Sequence, residues 1–67
     1  MNKLKECRSR VGLTQMALAI KIGLQPGLLC RYEMGLRPNQ RNARRLAKAL
    51  QSDVRALFPD YDKLRNY

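Results

Sequence analysis

An all-α domain, a compact bundle of five short helices, is the fold class this 67-residue sequence predicts. Three observations carry that expectation. Apolar residues recur at the spacing of one helix face along most of the chain, and no stretch alternates convincingly as a strand would. Residues that cap helix starts, and glycine or proline where helices should stop, fall between those periodic stretches. The chain also holds enough apolar side chain for one small core and too little for a second domain. Its centre is the stretch 14–35, TQMALAIKIGLQPGLLCRYEMG, which reads as two short helices joined by a tight turn at Gly23, with the rest as scaffold.

The first helix follows from Leu4, Cys7 and Val11 at i, i+3, i+7, one apolar stripe opposite Lys3, Lys5, Glu6, Ser9 and Arg10. Gly12 should end it, because glycine tolerates the left-handed conformation after a last turn. Thr14 is then a good N-cap, although Ala17 at N3 denies it a capping-box partner. Leu18, Ala19 and Ile22 form the inward face of the second helix up to Gly23. The third begins near Gln25 and Pro26, since proline suits the first helical position; Leu29 and Tyr32 supply its buried side and Gly35 stops it. Gly27 weakens this helix by roughly 1 kcal/mol relative to alanine. Asn39 caps a fourth helix with Ala43, Leu46, Ala47 and Leu50 inward and Arg41, Arg44, Arg45 and Lys48 spread over the remainder. Ser52 or Asp53 caps a last short helix that inserts Val54, Leu57 and Phe58 into the core before Pro59. Residues 1–58 thus form the domain, and 59–67 a tail that either packs on it or lies at a dimer interface.

Fourteen Lys and Arg against five Asp and Glu give a formal charge of +9. Such a balance suits a partner rich in phosphates or anionic lipid, with a merely solvated basic surface as the plain alternative. No apolar run approaches the roughly 18 residues that span a bilayer, and no signal-peptide core follows the amino terminus, so a cytoplasmic protein without membrane partners is expected. Cys7 and Cys30 are too few for a disulfide framework, and without histidine a zinc site lacks ligands. Reduced thiols, no metal and no cofactor are expected. Nor is there a cluster of acid, base and nucleophile, and a domain this small leaves no room for a deep substrate cavity, so an enzyme acting on a small molecule is not expected.

Several fragments, in order and at nearly the right spacing, carry a family resemblance. They are Gly12-Leu13-Thr14-Gln15, Leu18-Ala19 with Ile22-Gly23-Leu24, Arg31-Tyr32-Glu33 with Gly35, Leu46-Ala47-Lys48-Ala49-Leu50 and Leu57-Phe58. From Leu4 to about Phe58 the sequence resembles the phage-repressor and Cro type of helix-turn-helix domain, with the five-helix, lambda-repressor-like fold. The resemblance implies a small transcriptional regulator that binds double-stranded DNA, its second motif helix in the major groove and its first across the backbone.

The DNA-binding positions so implied are Gln15, Gln25, Pro26, Gly27, Leu28, Cys30, Arg31, Arg37 and Arg41. Gln15 touches a phosphate in that picture, where exposed amides at a helix start also suit phosphate oxygens, or else simply occupies an exposed first turn. Arg37 and Arg41 fall where the family grips the backbone, and a solvated arginine is the alternative for each. Arg31 either donates to guanine O6 and N7, clamps a phosphate, or stays in solvent. Pro26, Gly27, Leu28 and Cys30 depart from the family habit of polar reading residues, which leaves Arg31, Gln25 and DNA shape to supply specificity. Arg8 and Glu33 correspond to a structural ion pair. Met16 and Ile20, at i, i+4 on the second helix, together with Tyr61, Leu64 and Tyr67, are apolar enough for a homodimer contact or for a tail folded on its own domain. Repression by operator occupancy is the expected function; a protein-interaction module on the same fold, antitoxin-like or an adaptor, is the alternative.

Overall fold

The computed structural model describes residues 2–63. Five α-helices follow in order, α1 (Leu4–Val11), α2 (Gln15–Ile22), α3 (Pro26–Glu33), α4 (Gln40–Ala49) and α5 (Val54–Leu57), before a single 3-10 turn over Tyr61–Lys63. No strand occurs among the described residues.

Capping chemistry fixes three of the helix starts. Thr14 Oγ1 accepts from the Ala17 amide at 3.0 Å, Asn39 Oδ1 from Asn42 at 2.7 Å and Asp53 Oδ1 from Ala56 at 2.8 Å. Each satisfies an amide that would otherwise have no partner in the helix, an effect of about 1 kcal/mol. At the start of α1, Asn2 Oδ1 accepts from the Leu4 amide at 3.0 Å while its Nδ2 donates to the Tyr32 carbonyl at 2.7 Å. One side chain thereby satisfies the first amide of α1 and ties that end of the helix to the end of α3.

The α2–α3 turn is held from a third helix. Gly23 has φ +73°, and an Arg45 guanidinium from α4 donates to the Ile22 carbonyl that ends α2. The positive φ favours glycine at this position, and a Cβ added there would stand 3.2 Å from Arg45 Nη2, so the guanidinium would have to shift by a few tenths of an ångström.

Leu4, Leu18, Leu29, Leu46, Leu57 and Phe58 are fully buried at the centre, with every helix contributing. At about 1.5–3 kcal/mol for each large apolar side chain removed from water, these contacts dominate the stability of so small a domain. Two expectations are corrected here. Val11 is 44% exposed, because α1 ends at that residue and the chain turns away at Gly12, beyond the point where Arg8 ties the helix to α3. Tyr61, considered for a dimer contact, is buried in the core of its own domain: its ring packs 6.3 Å from that of Phe58 and its hydroxyl donates to the Pro38 carbonyl at 3.0 Å. Leu64 and Tyr67, proposed for the same contact, lie outside the described residues.

Candidate nucleic-acid interface

Helix α3 turns Leu29 and Tyr32 inward, and the helical repeat therefore carries Gly27, Arg31 and Met34 to the opposite, exposed face. Gln25 precedes the helix with an extended backbone, and its side chain makes no capping bond, so its amide remains available to an outside acceptor or donor. Pro26 occupies the first turn, and a Cβ at Gly27 would meet nothing within 4 Å, which leaves backbone open to close approach. Gln25, Gly27, Leu28 and Arg31 line one shallow depression at the start of the helix. Leu28 and Cys30 are half-buried at the edges of the face, and Leu28 also packs against the core. Met34, 74% exposed, joins this face at the i+3 position from Arg31, a spacing the sequence alone carries.

Behind α3 lies a three-residue polar network. Arg8 Nε donates to Glu33 Oε2 at 2.7 Å and its Nη2 to Oε1 at 3.3 Å, while its Nη1 donates to the Leu13 carbonyl at 2.8 Å. The fork geometry makes this a bidentate pair, with side chains only 11% and 6% exposed. Gln15 Nε2 donates to the same Glu33 oxygen at 3.0 Å. Burial by itself would raise the Glu33 pKa, but the hydrogen bonds from Arg8 and Gln15 and the charge of Arg8 prevail, holding the carboxyl below its ordinary range. Helices α1, α2 and α3 are thus joined through one carboxylate, and Gln15 at the start of α2 is oriented by the end of α3.

The exit loop is less free than its sequence implied. Arg37 is half-buried, with Nε donating to the Tyr61 carbonyl at 2.9 Å and its guanidinium carbon 4.0 Å from the centroid of the Tyr61 ring. Only its terminal nitrogens remain for a ligand. Tyr32 keeps its hydroxyl within the protein, accepting from Asn42 Nδ2 at 3.0 Å. Arg41 is exposed in the first turn of α4. Among the described residues no helix is long and apolar enough to cross a membrane.

A helix pair closed by Gly23, with the outer face of its second member unobstructed and its first member anchored to it, is the geometry of a groove-reading motif. A family model described as helix-turn-helix matches residues 4–57, most of the chain. Comparison with curated proteins and with solved structures found no match. The chain belongs to the helix-turn-helix family of the Cro and lambda-repressor type, a family of DNA-binding transcription regulators.

Proposed function

We propose that this domain is a sequence-specific repressor, cytoplasmic, that acts by occupying an operator and blocking polymerase. The observation that carries the reading is the open outer face of α3, with Gln25, Gly27 and Arg31 exposed and Gln15 held beside it by Glu33. Arg31 reads a base edge or grips a phosphate, Gln15 and Arg41 bind phosphates, and the terminal nitrogens of Arg37 add to that grip. Pro26, Leu28 and Cys30 contribute shape and apolar contact, so DNA deformability carries much of the discrimination. Two copies bind one operator through the exposed Met16 and Ile20 of α2, 59% and 73% exposed, in the two-fold manner common to such motifs.

Sedimentation of the protein with selected and arbitrary duplexes over a salt series tests both parts. Operator binding by a dimer gives two chains per selected duplex, a steep log-log loss of affinity with salt, and a selected sequence at least a thousandfold tighter than an arbitrary one. Weak binding without preference would instead indicate a protein-interaction module, and a single chain per duplex would remove the dimer.

A further inference from the structure

The α4 helix carries far more positive charge than the fold needs. Its ten residues hold Arg41, Arg44, Arg45 and Lys48 and no acid. All four are exposed, and none takes part in an ion pair among the described residues, where the pairs are Lys3–Glu6, Arg8–Glu33 and Arg55–Asp62. Arg45 has a structural duty as the partner of the Ile22 carbonyl. Arg41 has none, and a cation in the first turn opposes the helix macrodipole. At about 100° per residue, Arg41, Arg45 and Lys48 fall within roughly 60° of arc, and they span about 10 Å of helix, about the axial length of three phosphate-to-phosphate intervals of one strand at about 3.4 Å each. Lys21 of α2 lines the same surface depression as Arg45 and Lys48 and extends the row.

This row runs beside the reading helix. It starts at Arg41, next to the Asn42–Tyr32 hydrogen bond that joins α4 to α3, and reaches Arg45, which abuts the Gly23 turn leading into α3. Resting on the DNA-binding reading above, we propose that Arg41, Arg45, Lys48 and Lys21 form a continuous phosphate track, binding the DNA backbone that flanks the groove entered by α3. The contact is sequence-independent and lengthens the footprint beyond what α3 covers. The occupant is nucleic acid because the row is continuous with Arg41, lacks any acidic neighbour on its own helix, and keeps its cations on one face of that helix.

Two double variants of equal charge test this by fluorescence anisotropy on selected and arbitrary duplexes across a salt series. Lys21→Gln/Lys48→Gln removes two track cations without touching Arg41 or the Arg45 cap. Lys3→Gln/Arg55→Gln removes two cations that already face acids, at 3.8 Å and 2.8 Å, near α5. Helical circular dichroism and melting confirm that both remain folded. The track predicts that the first variant lowers the log-log salt slope by about two on every sequence, since each neutralised phosphate contributes about 0.9, and that the second leaves the slope at the wild-type value. Equal slope changes in both variants, or none in the first while the wild type binds duplex normally, would overturn the track and leave the recognition reading intact. Absence of salt-dependent duplex binding by the wild type would remove both.

Discussion

Replacing Glu33 by glutamine destabilises the domain by about 3 kcal/mol, because the nearly buried Arg8 guanidinium keeps its charge and loses its bidentate partner. For a chain of this size that is a large share of a total stability on the order of 3–10 kcal/mol, so thermal melting resolves it easily. The double variant Arg8→Met/Glu33→Gln costs less than Glu33→Gln alone, since no unpaired charge then remains; a double-mutant cycle with no coupling would rule the pair out as a structural link. The pH dependence has a definite sign. Folding lowers the Glu33 pKa from its ordinary value of 4.5, so its ionised form stabilises the fold fully above that value, and the stabilisation is lost as pH falls through the lower, folded pKa. The gap in stability between wild type and Glu33→Gln is therefore constant near neutrality and shrinks below about pH 4.5, where the protonated glutamic acid comes to resemble the amide. Gln15 loses its acceptor in the same variant, which couples the stability of the network to the presentation of α2.

Replacing Arg31 by alanine costs DNA affinity rather than stability. Arg31 is exposed, has no acid partner among the described residues, and lies on the outer face of α3, so its removal changes melting by less than about 0.5 kcal/mol. Loss of a bidentate contact to guanine weakens binding to a selected duplex by about 1–3 kcal/mol, roughly 5- to 150-fold, and relaxes preference at one position. A loss of similar size on selected and arbitrary duplexes alike assigns Arg31 to a phosphate. Full retention of affinity and of a sharply defined consensus in Arg31→Ala would contradict a reading role for this face of α3.

Much of this arrangement is written locally. Thr14 and Asn39 act as N-caps at the positions their sequence context indicates, and Asp53 takes the role for which Ser52 also qualified. Leu18, Ala19, Ile22, Leu29 and Tyr32 face inward as their spacing requires, because a helical period assigns a face wherever a neighbouring element covers it. Val11 keeps the period and still lies exposed, since no periodicity reports how far the neighbouring elements reach. The tail was opaque for the same reason. Nothing adjacent to Tyr61 shows that its hydroxyl meets the carbonyl of Pro38, 23 residues earlier, or that its ring lies under Arg37.

At the interface, the residue types were legible and their commitments were not. Gln15, Arg31 and Arg41 stand at the expected helix positions, yet only the tertiary structure shows Gln15 donating to Glu33, Arg37 engaged by Tyr61, and Arg45 capping α2 rather than lying idle in solvent. Gln51, with φ +53°, adopts the left-handed conformation after α4 that glycine would favour, so the end of that helix carried no glycine signal. Each of these is a long side chain or a backbone position whose surroundings come from distant parts of the chain.

The two cysteines provide the most direct test of which surface meets DNA. Cys30 is half-buried at the edge of the α3 face, and Cys7 is buried in the core and serves as the internal control. Alkylation of the protein with a maleimide, followed by mass spectrometry with and without a saturating selected duplex, reads the exposure of α3 in the complex. Docking of α3 in the major groove predicts that modification of Cys30 slows at least tenfold in the complex and that protein modified beforehand at Cys30 no longer binds the duplex. Modification of Cys30 at an unchanged rate in a saturated complex would show that this helix does not face the DNA.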